Sequence, residues 1–303
     1  MLDLSLLGTG GTMPMKKRWL TSLFVRNEGQ SILIDCGEGT QIALKCAGRS
    51  VQKLDLLCIT HYHADHISGL PGLLLSMGLE GRTEPLTLCG PAGLQRIVSG
   101  LRVIAPELPF SLQYIEFTES TELLHFAGLD ITAFAVQHTM PCYGYRLHLP
   151  RIGKFDPERA RAAGIPVRLW GVLQKQERAE FEGKVYYQSQ VLGAPRRGIS
   201  AVYCTDTRPV PVIAEQARGA DLLILEGMYG EPEKLPKALE TKHMMFTEAA
   251  QIAKEAGAKA LWLTHFSPSL PDPESYLPPA REIFPQTVCP HDGAEIDLQF
   301  TEE

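Results

Sequence analysis

No run of apolar residues in this chain reaches the ~20 positions a helix needs to cross a bilayer, so no membrane role is expected. The opening residues, Met1-Leu2-Asp3-Leu4-Ser5-Leu6-Leu7, carry no basic stretch ahead of their leucines and run straight into Gly8-Thr9-Gly10-Gly11. They read as a first strand and a turn, not as a secretion signal. The seven cysteines are odd in number, scattered, and contain no C-x-x-C pair. That argues against a disulfide framework or a thiolate zinc site, and for a reducing compartment, the cytoplasm. There is no short-period repeat or low-complexity tract, and with a net charge of −6 there is no overall positive excess to suggest a polyanionic partner.

What is present is the composition of an ordinary globular protein, 44% hydrophobic and 21% charged over 303 residues, enough to bury a full core. The charge is unevenly spread. Residues 151–198 hold ten Lys or Arg against five Asp or Glu, whereas the rest holds nineteen against thirty. An acidic body with a basic middle segment is an asymmetry that can mark contact with a polyanion. Residues 2–7, 22–26, 31–35, 54–60, 86–89, 129–137, 201–205, 222–226, 260–264 and 296–300 read as strands, with Asn27-Glu28-Gly29-Gln30 as a hairpin turn. Residues 90–104, 209–218, 246–256 and 279–284 read as helices, and Gly257 is a good C-terminal stop. Strands interleaved with helices indicate an α/β layered domain. From 151 to 198 the strand signal fades while Gly, Pro and charge rise, so this segment is expected to protrude as an insertion from a single domain spanning 1–303.

The chemistry concentrates in His61-Tyr62-His63-Ala64-Asp65-His66, directly after the apolar run 54–60. Three imidazoles and a carboxylate are costly to bury without a partner, and both are ordinary ligands of zinc and related divalent metals. Three further residues repeat the placement. His138 follows the strand 129–137, Asp206 follows 201–205, and His265 follows 260–264. Exits of apolar strands are where layered α/β folds place their sites. His61, His63, Asp65, His66, His138, Asp206 and His265 are too many donors for one tetrahedral ion and suit two adjacent ions sharing a carboxylate. Asp206 is the natural bridge, because a carboxylate offers two oxygens. Two divalent ions, two aspartates and a bridging hydroxide sum to roughly +1, which favours an anionic phosphate ester as substrate.

The H-x-H-x-D-H run with its spaced His138, Asp206 and His265 resembles the metallo-β-lactamase superfamily. Several segments narrow the resemblance to the RNase Z family of tRNA 3′-end endonucleases. They are Gly8-Thr9-Gly10 with Pro14-Met15-Lys16-Lys17-Arg18, Ile34-Asp35-Cys36-Gly37-Glu38-Gly39-Thr40-Gln41, and His138-Thr139-Met140-Pro141-Cys142-Tyr143-Gly144-Tyr145-Arg146. Thr205-Asp206-Thr207-Arg208-Pro209, His243 ahead of Glu248-Ala249-Ala250, and Leu263-Thr264-His265-Phe266-Ser267-Pro268 complete the order. The resemblance implies a four-layer αβ/βα sandwich with an inserted, protruding arm, and a zinc-dependent endoribonuclease that removes the 3′ trailer from precursor tRNA. It implies two zinc ions per subunit, with manganese as the substitute: one held by His61, His63 and His138, the other by Asp65, His66 and His265, with Asp206 bridging. A metal-activated water attacks phosphorus. Asp65 steers or accepts its proton, and His243 stabilises the phosphorane or protonates the leaving oxygen. Asp35 looks like an acceptor that orients a ligand histidine.

The resemblance also implies a homodimer in which one subunit's flexible arm, residues 151–198, grips the tRNA elbow through phosphates and shape. Arg151, Lys154, Arg159, Arg161 and Arg168 suit that role, as do Lys175, Arg178, Arg196 and Arg197. Lys16 and Arg18 belong to the segment that would position substrate. The sequence departs from the family pattern at the arm tip, Gly164-Ile165-Pro166-Val167-Arg168-Leu169, which lacks the usual Gly-Pro pair. It also departs at Trp19, where Asn is usual, and at Ser269-Leu270, where Arg-Tyr is usual. His125, His148 and His291 fit no part of the constellation and are expected to have structural or surface roles. The rival readings are a phosphodiesterase or thioester hydrolase of the same superfamily acting on small molecules or other RNA, and an RNA-binding protein that keeps zinc for structure.

Overall fold

The near-continuous apolar runs become strands buried on both faces, as happens when helices cover one side of a sheet and a second sheet covers the other. A computed structural model describes residues 1–301. In it β1 (Leu2–Gly8), β2 (Ser22–Asn27), β3 (Gln30–Ile34), β4 (Leu54–Cys58), β5 (Leu86–Pro91) and β6 (Leu112–Phe117) form most of one seven-stranded sheet. The second sheet starts with β7 (Thr121–Phe126), β8 (Leu129–Val136) and β9 (Cys142–Arg151). A separate hairpin, β10 (Arg178–Phe181) and β11 (Lys184–Tyr187), precedes the resumption of that sheet by β12 (Arg196–Cys204), β13 (Leu222–Glu226), β14 (Leu261–Thr264) and β15 (Thr287–Val288). The last strand, β16 (Ala294–Leu298), returns to pair with β1. The strand orders are β16-β1-β2-β3-β4-β5-β6 and β15-β14-β13-β12-β9-β8-β7.

The helices are α1 (Thr40–Cys46), α2 (Ala64–Ile67), α3 (Leu70–Leu79), α4 (Leu94–Leu101), α5 (Pro157–Ala162), α6 (Val167–Leu173), α7 (Pro211–Gln216), α8 (Leu235–Thr241), α9 (Phe246–Ala256) and α10 (Leu277–Ile283). One face of the first sheet (Leu33, Leu54, Leu57, Leu88) packs on Leu70, Leu73, Leu74 and Met77 of α3. In the second sheet Leu223, Leu225, Leu261 and Leu263 pack on Phe246, Ala249, Ala250 and Ala253 of α9. The alternate residues, Ile32, Ile34, Leu56, Ala201, Leu222 and Ile224, are buried too and belong to the opposite faces. Between the sheets the Tyr145 hydroxyl donates to the Ile59 carbonyl at 2.7 Å, and the Thr21 and Tyr203 hydroxyls meet at 3.1 Å. The layers therefore run helix, sheet, sheet, helix. This arrangement brings the C-terminal ends of β4, β8, β12 and β14 to one edge of the sandwich, with the metal-type residues in the segments that follow.

Several elements depart from the sequence reading. Strand β5 runs through Gly90 and Pro91, still laddered to Glu116 and Phe117, so α4 starts at Leu94 instead of at position 90. Helix α3 was not anticipated. Its sequence LPGLLLSMGL is apolar nearly all round, with Leu70, Pro71, Leu73, Leu74 and Met77 buried, so no polar face announces its period. The strands β6, β7 and β9 were also missed, as were α1 and α8.

Packing divides the chain into two compact units, residues 1–148 with 200–303, and residues 149–199. The smaller unit has more regular structure than its Gly, Pro and charge content suggested. Asp156 caps α5 by accepting from the Glu158 and Arg159 amides. Ala160, Ile165, Leu169, Leu173 and Val191 form an apolar cluster of its own, with Trp170 and Phe181 packed against it. Among the described residues no helix is long and apolar enough to cross a membrane.

Because Leu173 is fully buried in that small cluster, Leu173→Ala should cost about 2–5 kcal/mol locally. Amide exchange in 149–199 should rise sharply while exchange in β4, β12 and β14 stays at the wild-type rate.

Candidate metal centre

The β4 exit is shaped by Asp35, a fully buried residue just after β3. Its Oδ1 accepts from the Thr60 amide at 2.8 Å and the Thr60 hydroxyl at 3.0 Å, and its Oδ2 stands 2.8 Å from His66 Nδ1. The acceptor expected of Asp35 is thus in place, and its partner is His66. With Nδ1 so engaged, His66 turns Nε2 toward the other donors. Asp35, Asp206 and His265 all have positive φ, at 63°, 44° and 55°. Non-glycine residues hold that conformation at a cost and cluster at functional sites.

The seven sequence-nominated residues gather into two groups. In the first, His61 Nε2 and His138 Nε2 lie 3.0 and 3.1 Å from His63 Nδ1, and 3.6 and 3.7 Å from Asp206 Oδ2. In the second, His265 Nε2 lies 3.1 Å from His66 Nε2 and 3.2 Å from Asp65 Oδ2. Asp206 Oδ1 is 3.2 Å from His66 Nε2 and 3.1 Å from His265 Nε2. Asp206 therefore presents one oxygen to each group. Asp65 is fixed from behind, its Oδ2 accepting from the Thr12 amide at 2.6 Å. Gly11 makes room for the second group, since a Cβ there would come within 2.6 Å of the His265 ring.

These donors fit divalent metal ions. Nitrogen ligands at 2.0–2.1 Å in a tetrahedron stand roughly 3.3 Å apart, close to the observed spacings. Among the described residues, Asp206 Oδ1 and His265 Nδ1 are buried with no hydrogen-bond partner, a costly state for polar atoms unless something else meets them. Burial pushes the His61 imidazole well below its usual range, aided by His66 and against the pull of Asp206. Burial likewise takes His138 down to about 4, against the pull of Asp206. Both are thus favoured as neutral lone-pair donors. Burial opposes charge on His66, but Asp206 and Asp35 outweigh it and raise this imidazole well above its usual range. Burial opposes the Asp206 carboxylate too, yet His265, His66 and His61 hold it well below the usual carboxylate range. The second group is therefore a place where the field favours a cation.

His243 lies beside the donors, its ring stacked on His265 with centroids 5.6 Å apart. Its Nδ1 is 2.9 Å from Oε2 of Glu226, the fully buried last residue of β13. Burial opposes protonation of His243, but Glu226, with Asp206 and Asp65, raises it to about 9. Glu226 was missed in the sequence, although it too closes an apolar strand; the signal was available but is weak for one common residue type. Its Oε1 accepts from the Thr207 amide at 2.5 Å. Arg208 braces the same loop, bonding the Glu248 carboxylate and the His243 carbonyl.

A cavity of about 900 Å³ opens over the donors, lined also by Thr12, Met13, Tyr229, Lys234, Lys237 and Ser269. Of the nominated substrate-binding residues, Lys16 is exposed and does not line it. Arg18 directs its guanidinium to the Leu270 and Pro271 carbonyls and over the Phe266 ring, so it holds the segment after His265. In the inserted unit Lys154 is exposed, and Arg159 donates to the Leu192 carbonyl. Arg161 lies over Trp170, and Arg168 lies over Phe181 near Glu182. His125 pairs with Asp130 on an exposed hairpin.

Two family models match parts of the chain: one described as beta-lactamase superfamily domain over residues 162–266, and one described as anti-Pycsar protein Apyc1 over residues 2–147. Among solved structures, the metallo-beta-lactamase fold protein YhfI from Bacillus subtilis aligns with TM-score 0.71 at 20% identity, covering 97% of this chain and 98% of that one. Human tRNase Z, short form, aligns with TM-score 0.69 at 23% identity, covering 98% and 100%. These establish the metallo-β-lactamase fold. The Ribonuclease Z of Lachnospira eligens is 54% identical over all 303 residues of both chains. Identity at that level over the full length of both chains makes this chain a member of the ribonuclease Z family of endoribonucleases.

Proposed function

We propose that the chain is a zinc-dependent endoribonuclease that removes the 3′ trailer from precursor tRNA and leaves a 3′-hydroxyl on the tRNA. The observation that carries this reading is the pair of donor groups sharing Asp206 beneath an open cavity, in a chain so similar to ribonucleases Z over its whole length. His61, His63 and His138 would hold one ion, Asp65, His66 and His265 a second, with Asp206 between them. The imidazole and carboxylate donors suit zinc, with manganese as the substitute. Such ions supply a water activated near neutral pH and offset the charge of the phosphodiester.

The chain's own residues do the rest. Asp65 stands at the cavity floor to steer the attacking water and take its proton. The new bond joins water oxygen to phosphorus, and the bond to the ribose 3′-oxygen breaks. That oxygen needs a proton. His243 donates Nδ1–H to Glu226, so its Nε2–H is free to supply one. The raised proton affinity that Glu226 gives this ring keeps the acid form available at neutral pH. Asp35 and Glu226 act as orienting carboxylates for His66 and His243.

The inserted unit would serve as the tRNA-gripping arm through Arg151, Lys154, Arg159, Arg161 and Arg168, with Lys16 and Arg18 beside the body's own substrate path. Salt-sensitive phosphate contacts are the expected mode. We also assign the protein to the cytoplasm and to a homodimer, both on the family resemblance.

Incubation with precursor tRNAs and mapping of both product ends is the direct test; a trailer left uncut, or cut at scattered positions, would sink the reading. Asp206→Ala should lose both ions and fall to background cleavage together, as a chelator should make the wild type do. Wild-type metal content in that variant would remove the bridging role. His243→Ala should keep its metal content while kcat drops about 10²–10⁴-fold. Glu226→Gln, which retains a hydrogen bond but not the charge, should lose about 10–100-fold. Equal, full rates in both variants would exclude the pair from proton transfer.

A further inference from the structure

Two lysines on the wall of the metal cavity are not used by the reading above. Lys234 closes the 3-10 turn Pro232–Lys234, and Lys237 lies in α8. Three residues apart on continuous helical turns, they share one face, and both line the 900 Å³ cavity. Lys234 is half-buried and Lys237 exposed. Among the described residues neither ammonium makes an ion pair or a side-chain hydrogen bond. Outside the metal-type donors and the His243 imidazole, the lining described carries one carboxylate, Glu240, and these two lysines as its cations. The remaining rim is neutral, and there the Ser267 and Ser269 hydroxyls bond each other at 2.8 Å. The nearby guanidinium of Arg18 is committed to the Leu270 and Pro271 carbonyls.

The cavity is at the large end for a small-molecule pocket and exceeds what one phosphodiester needs. An RNA strand lying in it brings a negative charge with every nucleotide. The donor groups account for the scissile phosphate only. The neighbouring phosphates need counter-charge that can leave water cheaply, and unpaired lysines supply it without first breaking an ion pair. We propose that Lys234 and Lys237 grip the phosphates flanking the scissile one, and so fix the single-stranded 3′ segment in register over the metals. The proposal rests on the endoribonuclease reading, and it makes this wall, separately from the inserted unit, a determinant of where the chain is held for cutting.

The test pairs Lys234→Gln/Lys237→Gln with Lys234→Arg/Lys237→Arg. Fluorescence anisotropy with a short labelled oligoribonucleotide, on metal-loaded protein carrying His243→Ala so that cutting is slow, reads binding directly. Steady-state cleavage of precursor tRNA reads KM and kcat. In the Gln variant Kd for the oligoribonucleotide should rise about tenfold, and its logarithmic salt slope should flatten by about 1.4, the value for two single-strand phosphate contacts. On precursor tRNA the loss should fall in KM with kcat within about twofold. The Arg variant should return both readouts close to wild type. Metal content and melting temperature, measured alongside, should match wild type in all variants. An unchanged Kd and salt slope in the Gln variant would overturn the grip, as would a loss confined to kcat. Absence of precursor tRNA cleavage by the wild type, with a lysine-dependent Kd intact, would instead overturn the endoribonuclease reading and leave the grip standing.

Discussion

Both sheets and the metal-type donors depend on the hydrogen bonds of one buried carboxylate. Asp35 takes the Thr60 amide and hydroxyl and meets His66 Nδ1, while its own carbonyl accepts from the Ser22 hydroxyl and its amide reaches the Cys58 carbonyl at the end of β4. Tyr203 of the second sheet brings its hydroxyl to 3.5 Å from the same carboxylate. Thr60 precedes His61, so the turn that fans His61, His63, Asp65 and His66 is anchored where β3 and β4 end. A positive φ at Asp35 is tolerable only because so many partners over-determine it.

The same device recurs at the other exits. Glu226 ends β13 and orients His243, while its second oxygen fixes the Thr207 amide beside Asp206. Arg208 then clasps Glu248 and the His243 carbonyl, tying the start of α9 to the loop after β12. His66 and His243 are thus each held by a buried carboxylate at the end of a strand. This is how a site made from loops can be held to sub-ångström tolerance.

The donors were legible in the sequence because few residue types can bind metal, and five imidazoles at strand exits leave little else to explain them. The strands were legible for a related reason: burial on both faces writes long apolar runs such as Leu222–Glu226. What escaped notice was whatever depends on a partner distant in sequence. Glu226 is an ordinary glutamate until His243 arrives beside it. The bonds of the Arg18 guanidinium to the Leu270 and Pro271 carbonyls likewise join segments far apart in the chain. Helix α3 lacks a polar face, so periodicity could not separate it from a strand. The cluster of the 149–199 unit was hidden because Leu169, Leu173 and Val191 are spread among charges and meet only on folding.

The charge distribution resolves an apparent conflict between a net charge of −6 and a polyanionic substrate. Net charge governs long-range behaviour, which salt screens beyond about 8 Å at physiological ionic strength. Recognition at closer range depends on the local field. Asp65 and Asp206 line the cavity with the imidazoles, Asp35 and Glu226 are buried behind His66 and His243, and Lys234 and Lys237 stand on the wall. The carboxylates draw positive charge into the floor, whether as protons or as divalent ions, and that charge in turn meets the phosphate. Acidic residues at the base are therefore what make the floor attractive to an anion, because they fix the cations that touch it. An all-cationic pocket would repel the metals and would leave phosphate binding without a means of activating water.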